Sequence, residues 1–333
     1  GWEVKRVLPR INEDINEEWI SDKTRYACDG LKNQRLDTPF QREGNKFKKI
    51  SWNEAFDLLK LKITSINPEN VGCFTGDLTN METAFAVKEL FNKVFKSNLI
   101  ESRAENYYIN YSENQNFRFN SSISGIEESD FILMVGCNPR FEATILNSRI
   151  RKTYLKSKIP IYSTNDIGDQ TYPYKVLDNS TSLIKNIVEG KIDITNKIIK
   201  SSKPLIIIGE SVLKLGSGKY IFEELKKFLH KNNKITNEWN SLNILSKDAA
   251  SVGSYDLTLF SSNNGRNILL EKVKQNSLDL LFLVGQDKLK IERKGVFIVY
   301  IGSHGDEGAK NSDLILPGCA YTEQDGHYTN LEG

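Results

Sequence analysis

The sequence predicts an α/β fold: nucleotide-binding-type parallel sheets flanked by helices, with a short irregular region at the N-terminus. Two observations predict it. Short apolar runs recur along the 333 residues, and several of them stop at a glycine. Stretches with helix caps and helical apolar spacing separate those runs, which is the pattern of βαβ units in a parallel sheet. Phe117–Lys152 carries the clearest unit. Phe131–Val135 is an unbroken apolar run, suited to a strand covered on both faces. Gly136-Cys137-Asn138-Pro139 turns the chain, and Ile145, Leu146, Ile150, Tyr154 and Leu155 then share a helix. Arg149, Arg151, Lys152 and Lys156 crowd its second half, where cations suit the negative end of a helix dipole.

The other elements follow in order. Trp2–Leu8 alternates enough for a strand. Glu13, Asp14, Glu17 and Glu18 precede Arg25, Lys32, Arg35 and Arg42. Such opposed charges read as a solvated or interdomain surface and, in the sharper reading, as a docking surface. Ser51 with Glu54 forms a capping box, worth about 1 kcal/mol, and Ala55, Phe56, Leu58, Leu59 and Ile63 continue that helix. Val71–Phe74 is a strand closing on Gly76. Thr79 with Glu82 repeats the cap pattern, and Phe85, Ala86, Leu90 and Val94 give a core-facing stripe with Phe91 and Phe95 alongside. Ile159–Tyr162 is another apolar pulse, 165–174 reads as loop, and Leu183–Ile199 as two short helices broken near Gly190. Leu205–Gly209, Leu280–Gly285 and Val296–Gly302 are further glycine-ended strands. Ile221, Leu225, Phe228 and Leu229 mark a helix, and Leu314–Leu316 a last short strand.

Composition narrows the function. Charged residues make up 26% and the net charge is +2, so no nucleic acid or other polyanion partner is implied. No segment approaches the ~20 apolar residues of a membrane span, and no signal peptide is visible. The four cysteines, Cys28, Cys73, Cys137 and Cys319, lie far apart without CxxC spacing, which leaves no zinc or iron–sulfur ligand run. Richness in Asn, Lys and Ile fits an AT-rich genome, organellar ones included.

Ligands of open α/β sheets bind beyond the carboxyl ends of the strands. Gly136, Gly209, Gly285 and Gly302 therefore read as a nucleotide-like cradle or, one by one, as tight turns after strands. Gly216-Ser217-Gly218-Lys219 fails as a P-loop, because Leu213 replaces the first glycine and Tyr220 the magnesium-binding hydroxyl. His304 beside Asp306 and Glu307 lacks a distant third ligand, and neither a GxSxG elbow nor an activated cysteine is found. No catalytic residue and no metal site is assigned.

Four blocks carry a family resemblance: Phe117–Lys152, Val7–Arg25 (VLPRINEDINEEWISDKTR), Asp29–Leu36 (DGLKNQRL) and Asp313–Glu323 with Gly326 beyond. In this order they resemble the large peripheral-arm subunit of respiratory complex I, the 75 kDa or G-type NADH:ubiquinone oxidoreductase subunit. Residues 165–275 match it least. In that family an N-terminal half carries [2Fe–2S] and [4Fe–4S] clusters, and a C-terminal half resembles a molybdopterin oxidoreductase without its molybdenum cofactor. The resemblance covers the second half only, as a split-gene product or piece of such a subunit.

The resemblance implies a domain plan: 1–70 bordering the cluster-bearing half, 71–115 with 202–333 as one α/β domain, and 116–201 inserted in it. It makes the chain a non-catalytic, cofactor-free component of the NADH dehydrogenase. Gly136, Asn138, Gly209, Gly285 and Gly302 become a vestigial cradle. Gly285-Gln286-Asp287 departs from the Gly-Glu-Asn-Pro of active relatives, and no Cys or Ser is placed as a molybdenum ligand. The implied partners are other peripheral-arm subunits, especially the iron–sulfur half. The implied place is the matrix side of the mitochondrial inner membrane, or the cytoplasmic side of a bacterial one. The rival readings are a fragment of an active molybdopterin oxidoreductase and a residual nucleotide-binding module.

Overall fold

A computed structural model describes residues 3–178, 180–292 and 295–333. Among them are twelve strands: β1 (Phe40–Glu43), β2 (Lys46–Lys49), β3 (Val71–Thr75), β4 (Ile100–Glu101), β5 (Phe131–Val135), β6 (Ile161–Ser163), β7 (Lys175–Val176), β8 (Pro204–Gly209), β9 (Leu242–Leu245), β10 (Leu280–Val284), β11 (Phe297–Gly302) and β12 (Leu314–Pro317). They form two sheets in two compact units. An inserted unit holds the chain up to Cys28, Tyr107–Lys247 and Leu331–Gly333; a flanking unit holds Asp29–Asn106 and Asp248–Asn330.

The inserted sheet has the order β7-β6-β5-β8-β9, all parallel. From β5 the chain winds outward through β6 and β7, then returns to add β8 and β9 on the other side. The winding reverses between β5 and β8, where Met134 lies beside Ile207. The flanking sheet has the order β2-β1-β12-β11-β10-β3-β4, parallel from β12 to β4. Its winding reverses between β3 and β10, where Cys73 lies beside Phe282. Alternate residues supply its two apolar faces. Val71, Cys73, Phe282 and Val299 point to one side, and Phe74, Leu281, Leu283 and Tyr300 to the other.

The parallel α/β class is as expected. The domain boundaries differ. Residues 202–247 pair with the inserted sheet, because β8 is fully buried and fits along β5 in continuous register. Residues 29–70 join the flanking unit, where the hairpin β1–β2 extends the sheet through β12. Residues 3–8 form no strand, and Trp2 lies outside the described residues.

The Ser51 capping box forms, with the Ser51 N–H donating to Glu54 Oε2 at 2.7 Å and the Glu54 N–H to Ser51 Oγ at 3.3 Å. The next cap is one residue late. Asn80, not Thr79, accepts from the Thr83 N–H at 2.9 Å, so the helix Met81–Leu90 turns a different face inward. Ala84, Val87, Phe91 and Phe95 are buried, and Phe85, Ala86, Leu90 and Val94 look outward. Apolar residues on two faces made the sequence periodicity ambiguous. Phe85→Ser and Val94→Ser are therefore expected to change stability by no more than about 0.5 kcal/mol. A melting point lowered by several degrees would show that this face packs within the chain.

Candidate functional site

At the carboxyl end of the inserted sheet, Gly136 follows β5 with φ of +59°, the left-handed region that favours glycine. Its N–H donates to Thr164 Oγ1 at 3.2 Å, and its carbonyl accepts from the Ser211 hydroxyl. A Cβ on Gly209 would overlap the Gly136 carbonyl and crowd Cys137. The structure thus brings Gly136 and Gly209 together at the point where the winding reverses, and one backbone fills the space the other leaves.

Asn138 and its neighbours on this rim are bonded within the chain. The Asn138 N–H donates to Glu142 Oε2 at 3.2 Å, so the chain's own carboxylate stands where a bound anion would. Pro139 begins the following turn and has no N–H to offer. Asn138 Nδ2 donates to the Ile167 carbonyl at 3.0 Å, and its Oδ1 accepts from Gln170 Nε2 at 3.0 Å. Gln170 is fully buried, and its side-chain oxygen takes the Arg140 N–H at 3.2 Å. The 165–174 loop is thereby sewn onto Asn138. Directly after Gly209, Glu210 is buried, and its Oε1 accepts from the Lys247 N–H at 2.9 Å.

The rim of the flanking sheet repeats this logic. Gly285 (φ +62°) meets Gly76, where a Cβ would overlap the Gly285 carbonyl. The Gly76 N–H donates to the Val284 carbonyl at 2.8 Å, with Thr79 Oγ1 a second acceptor at 3.1 Å. Gln286 is buried and donates to the Thr75 carbonyl at 2.9 Å. Gly302 sits one strand away at the end of β11, and its carbonyl takes the Gly318 N–H at 2.8 Å. Gly285 therefore pairs with Gly76, which the site reading left out, rather than with Gly302.

Beside this junction Lys288 Nζ bridges two carboxylates, Asp77 in direct contact and Asp248 at 3.2 Å. Burial raises the Asp77 carboxyl above its ordinary value, Lys288 pulls it back down, and Asp248 raises it further. Lys288→Ala leaves the two carboxylates facing each other. The expected loss is about 1–2 kcal/mol at neutral pH, allowing for a lysine more than half exposed. A raised acid stabilises the fold below its unfolded value and loses that contribution as pH rises through the folded one. The loss should therefore be larger at about pH 8 than at about pH 5, and Asp77→Asn should restore part of it. Urea midpoints that show no such pH difference would refute the bridge.

Anion cradles need free N–H groups and a positive field. The N–H groups of Gly136 and Asn138 on one rim and of Gly76 and Gly285 on the other are instead spent internally, and each rim carries an acid directly past a strand-terminal glycine: Gly209-Glu210 and Gly76-Asp77. That pairing was the legible signal that sequence reasoning missed. Two hydroxyls at the carboxyl ends of β3 and β4, Thr75 Oγ1 and Ser102 Oγ, are buried without a partner. A dinucleotide would meet these internal bonds and the two acids at the rims. Burial pushes the Cys73 and Cys137 thiols up, away from the thiolate form that binds a metal. Among the described residues no three His, Cys, Asp or Glu side chains gather. His304 is held by Ser303 and the Leu31 carbonyl.

The N-terminal charges also work inside the chain. Glu17 pairs with Lys152, and buried Arg149 holds the Ile15 and Glu13 carbonyls and, at 2.8 Å, Glu127. Arg35 pairs with Glu323, and Arg42 donates to the Ser312 and Lys310 carbonyls. Glu13, Asp14 and Glu18 stay exposed, and so do the apolar Ile11 and Trp19. A groove of about 1050 Å³ on the inserted unit is lined by Ile11, Ile15, Trp19, Phe141 and Ile145, among others. Ile11 and Phe141 are 73% and 77% exposed. No described helix is long and apolar enough to cross a membrane.

Known proteins resemble this chain throughout. Residues 35–333 match the profile of the molybdopterin oxidoreductase family. Residues 1–29 match that of the NADH-ubiquinone oxidoreductase NDSU1/NuoG-like 4Fe-4S domain. Similar proteins include the mitochondrial NADH-ubiquinone oxidoreductase 78 kDa subunit of Candida albicans, 40% identical over 100% of this chain and 46% of that protein. The 75 kDa subunit of Reclinomonas americana is 39% identical over 100% of this chain and 50% of its own length. The G-type NADH-quinone oxidoreductase subunit of Rickettsia prowazekii is 37% identical over 99% and 48%. The chain spans about half the length of these relatives. Among solved structures, acetylene hydratase from Pelobacter acetylenicus shares the fold, with a TM-score of 0.50 and 11% identity over 99% of this chain and 62% of that one.

Proposed function

This chain belongs to the molybdopterin oxidoreductase family, among the relatives of the 75/78 kDa and G-type subunits of NADH–quinone oxidoreductases, and on that premise we propose that it is a cofactor-free, supporting part of a complex I peripheral-arm subunit. Electrons from NADH to ubiquinone would pass through iron–sulfur clusters held by its partner. The observation that carries the reading is the pair of acids at the two winding reversals. Glu210, directly past Gly209, and Asp77, directly past Gly76, set carboxyl groups at the two reversals, the place where open α/β sheets receive their ligands. Repulsion and desolvation both oppose an anionic ligand there.

Support for the bracing role comes from the groove on the inserted unit. Residues 9–24, which line one side of it, fall within the stretch that matches the 4Fe-4S domain. Exposed Ile11, Trp19 and Phe141 make an apolar patch of the kind that marks an interaction surface. The cluster-bearing half is its proposed occupant, at the matrix face of the mitochondrial inner membrane or the cytoplasmic face of a bacterial one.

Three measurements test this. Metal analysis of the purified chain should find no stoichiometric molybdenum or tungsten, and guanine and adenine dinucleotides should leave its melting point unchanged. Either a metal or a shift would replace this reading with an active or residual cofactor enzyme. Phe141→Asp should abolish co-purification with the cluster-bearing polypeptide while the chain alone melts as before. Retained co-purification would remove the groove from the interface.

A further inference from the structure

Tyr300 on β11 places its hydroxyl 2.7 Å from Asp287 Oδ1, 3.2 Å from the His304 carbonyl and 3.5 Å from Asp306 Oδ1. The hydroxyl has one proton, and the short contact assigns it to Asp287. The remaining neighbours are then acceptors, unless Asp306 itself carries a proton. Asp306 Oδ1 thus stands 3.5 Å from an oxygen whose proton is already committed to Asp287. We propose that Asp306 and Asp287 form a one-proton latch that ties the Ser303–Lys310 segment to the end of β10, and that the latch weakens as pH rises.

The surroundings agree. Burial, and then the neighbouring Asp287 carboxylate, raise the Asp306 carboxyl to about 7. The segment packs tightly here, since a Cβ on Gly308 would overlap the Gln286 carbonyl and the Tyr300 ring. Asp306 also borders a cavity of about 540 Å³ walled by Leu36, Phe40, Phe47 and Ile315, so its proton can reach water. The nearby charged groups offer no counter-ion. Lys288 is held by Asp77 and Asp248, and Lys310 lies 3.6 Å from Glu307. Arg35 is held by Glu323 and the Ser303 carbonyl, and Arg42 by the Ser312 and Lys310 carbonyls. The His304 ring is engaged by Ser303 and the Leu31 carbonyl.

The sign follows from linkage. An acid whose closed-state value is raised stabilises the closed state fully below its open-state value, and loses that contribution as pH climbs to the closed-state value. Amide exchange of residues 303–310 in the purified chain, corrected for intrinsic rates, should thus lose protection by up to about tenfold per pH unit from about pH 4.5 to about 7, and level off above. Asp306→Asn should abolish this pH dependence. An unchanging wild-type profile, or the same slope in Asp306→Asn, overturns the latch. Should that variant not fold, infrared difference spectra of the wild type decide it: a protonated-carboxyl band must disappear as pH passes about 7, and its absence overturns the latch as well.

Discussion

Replacing Arg103 with alanine is expected to lower the stability of the flanking unit by about 3–5 kcal/mol. Arg103 and Glu101 are both about 1% exposed. The guanidinium grips the carboxylate in two places, Nε to Oε1 and Nη2 to Oε2, each at 2.7 Å. It also donates to the Ser262 carbonyl at 2.5 Å and lies 5.1 Å from the Phe260 ring centre. Without it, Glu101 is left buried without its counter-ion, and the Ser262 carbonyl keeps only the Gly265 N–H. That is expensive, because removing one member of a buried pair uncovers the full desolvation of the other. The double variant Glu101→Gln with Arg103→Met removes both charges and should recover much of the loss. Urea unfolding measures all three. An Arg103→Ala protein within about 1 kcal/mol of wild type would mean that water reaches the pair and screens it.

The architecture was legible because its strongest signals are local. β5, β8 and β10 are buried on both faces, so each reads as an unbroken apolar run, and a glycine after each run marks the turn. Pairing was not legible. Nothing in Pro204–Gly209 says that its neighbour is Phe131–Val135 rather than a strand of the other sheet, and the boundary drawn at 201 followed from that. Short elements were lost as well. β4 is two residues long and has no periodicity to read, so Glu101 and Arg103 went unnoticed. On a strand, residues two apart share a face, which is the clue they did leave. Of the opposed charges of the N-terminal stretch, Glu13, Asp14 and Glu18 stay exposed, while Glu17 finds Lys152, far away in sequence, and only the fold reveals that pairing.

Gly209→Ala is the sharper test of what the glycines are for, and a cost of about 3 kcal/mol is expected. The φ of Gly209 is −88°, a value alanine adopts without strain. Conformational entropy of the unfolded chain would even favour alanine by about 0.4–1 kcal/mol. Against this stands a collision with the Gly136 carbonyl and with Cα and Cβ of Cys137. Two of those atoms are backbone, so no side chain can swing aside, and the ends of β5 and β8 must separate. In the cradle reading the missing Cβ keeps room for a ligand, and Gly209→Ala would leave the empty protein as stable as before, or slightly more so. In the present structure the missing Cβ keeps room for the neighbouring turn. The two readings differ in sign, and one thermal melt of the ligand-free chain separates them. A melting point that stays level or rises restores the cradle; a fall of roughly 5–10 °C, the scale set by about 3 kcal/mol in a unit of this size, leaves the glycine to packing.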